Sequence, residues 1–324
     1  MASTKALTGS ALASVYWKDK SKHDCIWIYY IDVYGYVCQV QSYDGKWDGG
    51  SRQCFKAPRF NTPLAAIAYP DSTGYPSPNP EIHIFCIAID DTNKPSIQRY
   101  IKWAHSDLWE KSPKDIPSEN LLTLSNLGAT QYKGKHIRVF WQDTKHHIRQ
   151  TTCNTSDGTD WAVDQEKVSQ NPAWRGTPIA AAAVIGLHQS LSSILAWRSS
   201  DRILVLVRVD TDPVDTNALL ATTQKFDMSP TGSVALVAWS LGHVSVFYEG
   251  FTDGLQRLNL YKKGAAEKPT SYFTGSVTTA KAADEGSLAG AAIPVDDVGH
   301  APASIFYQLP GQINIVEMRL EYSP

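Results

Sequence analysis

The chain has no long apolar run, no cysteine pair at metal spacing and no excess charge of either sign. No window approaches 18 uninterrupted apolar residues; the stretch from Ile179 to Leu187 is short and rich in Ala, so nothing reads as a membrane-spanning helix. Thirty basic residues against 32 acidic ones leave a net charge of −2, which gives no electrostatic footprint for nucleic acid or an anionic membrane. The polar stretch Met1 to Gly9 contains Lys5 and lacks a signal-peptide core, so the chain reads as cytoplasmic. The five cysteines (Cys25, Cys38, Cys54, Cys86 and Cys153) are odd in number and contain no CxxC, so they are expected to be thiols. The sequon Asn154-Thr155-Ser156 is expected to be idle for the same reason.

Catalytic signatures are also missing. There is no GxSxG, no HExxH, no Gly-rich phosphate loop and no His or Cys pair spaced for a metal, so no cofactor and no metal are expected. The adjacent His146 and His147 fall at a turn and read as solvated, as do the acidic pairs Asp90-Asp91 and Asp296-Asp297. These absences count against a hydrolase or metalloenzyme, although sites assembled from distant residues leave no local motif.

Aromatic residues are abundant, with 10 Trp and 15 Tyr, and so is internal repetition. Six segments of small and apolar residues recur at near-regular spacing: Ser10–Trp17, Pro63–Tyr69, Leu124–Tyr132, Pro178–Val184, Ser233–Trp239 and Ser287–Ile293. Strands of Ala, Ser and Val suit the crowded position around a propeller axis. Each is followed by an alternating strand, namely Cys25–Ile31, Ile82–Ala88, Ile137–Gln142, Ile194–Trp197, Val244–Tyr248 and Ser304–Gln308. A turn rich in Asp, Asn, Gly or Pro then leads to a third strand. A fourth strand carries Trp47, Trp109 or Trp161 in the first three repeats.

The fold read from this pattern is all-β: one six-bladed β-propeller spanning 1–324, with four-stranded antiparallel blades and helical content near nil. The blades fall roughly at 10–62, 63–120, 121–177, 178–232, 233–286 and 287–324 plus 1–9. Ser3–Leu7 is expected to supply the outer strand missing from the last blade and so fasten the ring.

The runs CIWIYYIDVYGYVCQVQSYDGKWDGG and HIRVFWQDTKHHIRQTTCNTSDGTDW resemble repeats of the fungal fucose-specific lectins, and all six repeats can be laid on that pattern. The resemblance implies sugar sites between neighbouring blades. In each, an Arg on the second strand and a Glu or Gln on the third hold hydroxyls, and aromatic rings take the apolar face. Carried over, blade three keeps both polar groups as Arg138 and Gln150, with Trp174 or Trp197 as the aromatic partner. Blade one has Trp27 and Gln39, blade two His83 and Arg99, blade four Leu195 and Val205, blade five Ser245 and Arg257, and blade six Ser304 and Ile315. Five of six expected fucose sites are thus broken.

Two functions follow from the resemblance. One is a lectin that binds fucosylated glycans, whose single surviving pocket would lose avidity unless the chain forms a homodimer. The other, which the replacement of polar positions by apolar ones favours, is a fungal secondary-metabolism enzyme resembling the hetero-Diels–Alderases of tropolonic sesquiterpene pathways. Such an enzyme joins a tropolone quinone methide to a macrocyclic sesquiterpene alkene. That chemistry asks for an apolar cavity and a donor that polarises the enone oxygen. Arg138, His83, His243, Arg198 and Arg257 are the candidate donors. Gln150, Trp27, Trp174, Trp197, Trp239 and Tyr248 are the candidate substrate-binding residues.

Overall fold

The computed structural model describes residues 5–19, 21, 23–69, 80–132, 136–153, 160–163, 167–185, 191–209, 218–221, 228–229, 232–240, 243–250, 254–261, 270–276, 289–292, 302–308 and 313–321. Strands make up its regular structure, no helix occurs among these residues, and six antiparallel sheets follow one another along the chain. Blade one comprises β1 (Leu12–Lys18), β2 (Asp24–Ile31), β3 (Tyr36–Tyr43) and an outer strand broken into β4 (Lys46–Trp47) and β5 (Arg52–Lys56). Blade two comprises β6 (Ala65–Tyr69), β7 (Glu81–Ile89), β8 (Pro95–Lys102) and β9 (Trp109–Lys111). Blade three comprises β10 (Gly128–Tyr132), β11 (His136–Gln142), β12 (Ile148–Cys153) and β13 (Trp161–Val163). Blade four comprises β14 (Ile179–Ile185), β15 (Leu191–Arg198), β16 (Leu204–Val209) and β17 (Ala218–Ala221). Blade five comprises β18 (Val234–Ser240), β19 (His243–Gly250), β20 (Gly254–Tyr261) and β21 (Thr270–Ser276). Blade six comprises β22 (Ala289–Ala292), β23 (Pro302–Gln308) and β24 (Ile315–Glu321).

The small-residue strands form the inner ring. Each of β1, β6, β10, β14, β18 and β22 touches the inner strands on both sides, so the six sheets close into a circle. Crowding at the axis explains the composition. A Cβ built on Gly290 would come within 2.7 Å of Val237 Cγ2, and one on Gly128 within 2.9 Å of Ile179 Cγ2. Neither distance is tolerable, so glycine is required at both places.

A hydroxyl just before the inner strand fastens it to the end of the second strand. Ser10 Oγ accepts from Ile31 N (2.7 Å), Thr62 Oγ1 from Ile87 N (2.7 Å), Ser125 Oγ from Gln142 N (2.8 Å) and Thr177 Oγ1 from Arg198 N (2.9 Å). Thr177 is fully buried, so Thr177→Val leaves the Arg198 N–H without an acceptor in the interior. The expected loss is about 1–3 kcal/mol of stability, read as a lower urea midpoint at unchanged slope.

The turns after the second strands repeat as well. Asp32, Asp90 and Asp143 each accept two backbone N–H bonds through Oδ1, at 2.8–2.9 Å. Gly35, Asn93, His146 and Arg202 hold the left-handed position of the same turn, with φ of 76°, 62°, 68° and 65°. The paired histidines therefore part company. His146 is the turn residue, whereas His147 is buried with Nδ1 3.3 Å from the Ser169 carbonyl oxygen, contrary to its reading as solvated. Asp90 likewise organises its turn; Asp296-Asp297 and the sequon lie outside the described residues. All five cysteines are thiols.

The N-terminal segment closes the ring by a different route from an added outer strand. Ala6 bridges Asp32, Leu7 N donates to Ile31 O, and Val33 N donates to Lys5 O. The same bridge leads into blade three (Leu121 with Asp143), blade four (Ala173 with Ser199) and blade five (Met228 with Gly250). Lys5–Leu7 is thus the lead-in of blade one; Ser3 and Thr4 lie outside the described residues. The ends of the ring are joined by Ser10 N donating to Gln308 Oε1 (3.1 Å) and Ser14 Oγ donating to Gly290 O (2.8 Å). Gln142 makes the corresponding join at the seam between blades three and four, where its Oε1 accepts from Gly176 N at 2.8 Å.

Candidate functional site

The faces that meet at each seam follow from strand alternation. Odd and even residues of a strand point to opposite sides, so one side of each blade packs on the preceding blade and the other on the following one. Tyr29 packs toward blade two, Phe85 toward blade three, Phe140 toward blade four and Phe306 toward blade one. Three of these rings meet the outer-strand Trp of the following blade edge-on. Phe306 meets Trp47 with centroids 5.8 Å apart, Tyr29 meets Trp109 at 5.8 Å, and Phe85 meets Trp161 at 6.4 Å.

The residue opposite each of these rings on the third strand is the acceptor position of the sequence pattern. Gln39 lies opposite Tyr29, Arg99 opposite Phe85, Gln150 opposite Phe140 and Arg257 opposite Phe247, as expected. Assignments change in two blades. In blade four the position belongs to Leu206, opposite Ala196, and the donor position to Ile194; Leu195 points back at blade three and packs with Phe140. In blade six Glu317, not Ile315, lies opposite Phe306. Blade six therefore keeps an acidic acceptor that the sequence reading missed.

Glu317 sits at the most elaborate of these positions. Its Oε1 accepts from Ser304 Oγ (2.7 Å) and Arg319 Nε (3.0 Å), and its Oε2 from Trp47 Nε1 of the neighbouring blade (2.8 Å). Burial alone would raise this carboxyl, and the bonds from Ser304, Arg319 and Trp47 outweigh that, holding it below its ordinary value of 4.5. The group is an anion at neutral pH with its orientation fixed. Beside it opens a cleft of about 420 Å³ whose walls include Ile28, Tyr30, Val40, Trp47 and Phe306, with Lys5, Asp48, Ser51 and Asn314 as polar groups. Ser304 is too short to replace an arginine at the donor position, but Arg319 brings a guanidinium to the carboxylate from two residues along the third strand. An ordered acceptor, a donor and a flat aromatic wall suit a ligand with hydroxyls on one side and C–H groups on the other.

The expected site residues are scattered over different seams. Arg138 and Gln150 share the face toward blade four, both buried. Arg138 Nη1 donates to Val209 O (2.9 Å) and Ser193 Oγ (3.4 Å), so this guanidinium ties blade three to blade four. Trp197 and Val205 line a second cleft at the same seam, about 520 Å³, with Ile203, Leu204 and Val207 as further apolar wall. Trp174 is 39% exposed at the lead-in to blade four and covers the guanidinium of the fully buried Arg198 at 4.5 Å. Trp27 is buried between blades one and two, and Tyr248 between blades four and five. Arg257 reaches Ser245 Oγ at 3.3 Å and lies over Phe247. His83 is buried against Tyr69 and Phe85 with Nε2 2.6 Å from Glu81 Oε1; burial, outweighing Glu81, lowers this imidazole below its ordinary range. The backbones of Trp239 and His243 belong to β18 and β19; their side chains lie outside the described residues. Among the described residues no group of three His, Cys, Asp or Glu could hold a metal ion, and no helix is long and apolar enough to cross a membrane.

Known proteins enter the comparison only at the level of structure. No protein-family model matches the sequence, and no curated protein does. A mutant of Aleuria aurantia lectin in complex with alpha-methyl-L-fucoside superposes with a TM-score of 0.72 at 17% identity, over 98% of this chain and 93% of that one. An arginine-to-alanine triple mutant of AofleA from Arthrobotrys oligospora gives 0.73 at 12% identity, over 99% and 86%. The BP39L lectin from Burkholderia pseudomallei gives 0.61 at 13% identity, over 98% and 86%. At such identities the likeness is one of architecture: the chain has the six-bladed propeller fold of the fucose-binding lectins.

Proposed function

We propose that this propeller binds glycans, fucosylated ones in the first instance, in the cleft between blades six and one. The observation that carries the reading is Glu317, held ionised by Trp47, Ser304 and Arg319 beside an aromatic-walled cleft of about 420 Å³. A sugar would give hydroxyl hydrogens to the carboxylate and lay its C–H face on the neighbouring rings. The test is a glycan array followed by calorimetry on wild type, Trp47→Ala and Glu317→Gln. Each variant is expected to weaken binding by about 10- to 100-fold, the cost of roughly 1–3 kcal/mol for a lost charge-assisted bond or ring contact. Because the carboxyl lies below its ordinary value, affinity should stay flat from about pH 8 to about pH 5 and fall only in more acidic solution. Silence across the array, or binding that both variants leave untouched, would overturn the assignment.

A second reading is the hetero-Diels–Alder addition of a tropolone quinone methide to a sesquiterpene alkene. It is favoured by the cleft at the blade three–four seam, where Trp197, Val205 and Val207 offer a wall suited to hydrocarbon. Incubating the protein with a tropolone precursor and humulene tests it. A product ratio no different from the protein-free reaction counts against it.

A further inference from the structure

The seam between blades one and two repeats the plan of the glycan cleft with its charges rearranged. Trp109 stands where Trp47 does, Tyr29 where Phe306 does, and neutral Gln39 where Glu317 does. The new element is Lys102. It lies opposite Trp109 on the adjoining strand and faces blade one. The same position holds Ser42 in blade one and Cys153 in blade three, both small and buried. A lysine buried there brings an ammonium into the seam, with Nζ 5.5 Å from the centroid of the Trp27 ring.

This ammonium makes no hydrogen bond among the described residues, and neither does the hydroxyl of the fully buried Tyr29 on the facing strand. The counter-charge near Lys102 is Asp107, whose Oδ1 is 3.8 Å away, longer than a hydrogen bond. Asp107 is 73% exposed and shares that oxygen with Arg52 of blade one at 3.7 Å. Its carboxylate thus sits at the mouth of the seam, outside the buried donors. Burial depresses the lysine, and Asp107 opposes that only in part. A buried cation whose ion-pair partner is solvated and beyond hydrogen-bond distance gains from an anion that bonds it directly.

We propose that the seam between blades one and two binds the carboxylate of a small ligand, with Lys102 as its counter-charge and Tyr29 and Gln39 as neighbouring hydrogen-bonding groups. The incoming carboxylate displaces Asp107 from Lys102 and leaves it to Arg52. The carboxylate can belong to an acidic sugar or to a simple organic acid, and the probes separate the two.

The experiment titrates the full chain with sodium glucuronate, sodium acetate and neutral glucose by calorimetry, on wild type, Lys102→Met and Asp107→Asn. Glucuronate binding is expected to fall about tenfold or more in Lys102→Met and to tighten several-fold in Asp107→Asn, where the resident competitor is gone. Glucuronate tighter than acetate identifies an acidic sugar; equal affinities identify the carboxylate alone. Glucose binding as well as glucuronate, or glucuronate binding retained in Lys102→Met, overturns the proposal. Lys102→Gln, together with the rise in the wild-type urea midpoint on adding glucuronate, gives the same answer if the methionine variant does not fold. A midpoint that glucuronate does not move also overturns it. The glycan cleft at blade six stands or falls separately, because saturating fucose leaves the glucuronate titration unchanged.

Discussion

Asp143→Ala is expected to destabilise the protein by about 3 kcal/mol or more, among the largest single losses available to it. Asp143 is 2% exposed and is surrounded by donors. Lys145 N and His147 N bond to its Oδ1 at 2.9 and 2.8 Å, and Arg149 Nε bonds to its Oδ2 at 2.9 Å. Alanine withdraws the acceptor from two turn amides and the counter-charge from Arg149 in one step. It also releases a turn in which His146 is held at positive φ, a conformation that β-carbon residues adopt only when other contacts insist. Asp143→Asn keeps an oxygen for the amides and loses the charge, so it should cost about half as much. Urea denaturation of the three proteins measures the difference. A midpoint for Asp143→Ala within error of wild type would mean that the turn is held by its strands and not by the carboxylate.

The second large effect is expected at Phe306. The ring is fully buried, packs with Leu12, Ile28 and Tyr30 of blade one, and meets Trp47 edge-on. Phe306→Ala should cost about 3–5 kcal/mol, the usual range for a core phenylalanine. This seam joins the two ends of the chain, so the loss falls on ring closure itself. The ring also walls the cleft beside Glu317, so glycan affinity should fall with stability. Phe306→Leu separates the two roles, since it restores most of the volume but not the flat face. Calorimetry and thermal unfolding of both variants decide the matter. An alanine variant as stable as wild type would show that the Ser10–Gln308 bond and the inner strands close the ring without the aromatic contact.

The parts of the fold that the sequence disclosed are those where geometry leaves little choice of residue. Around the axis only small side chains fit, which is why Ala, Ser and Gly mark the inner strands so plainly. The outer tryptophans were also visible, at Trp47, Trp109 and Trp161. Their partners were not, because Phe306 meets Trp47 across the whole length of the chain. Register failed where alternation gave nothing to read. In blade four the run Leu204, Val205, Leu206, Val207 is apolar on both sides, so a slip of one residue changes no hydropathy and yet swaps every face. In blade six Glu317 lies two places beyond where it was sought, and one extra connecting residue accounts for one of them; setting Gln308 against Gln142 and allowing that extra residue would have found it. Arg138 shows the opposite limit. The pattern placed it on the second strand, but only the packed seam reveals that its guanidinium is engaged by Val209 of the next blade.

Every described sheet is built from one contiguous stretch of chain, and the seam that joins blade six to blade one is made by the same kinds of contact as the internal seams. A blade is therefore a self-contained cassette. Duplicating or deleting one in the gene would alter the ring by a whole unit without cutting a sheet in two. Each seam can also drift on its own, since its residues come from two cassettes and constrain no third. The present chain shows three such seams within a single circle: one with an acid, one with a lysine, and one bridged by an arginine beside a hydrocarbon wall.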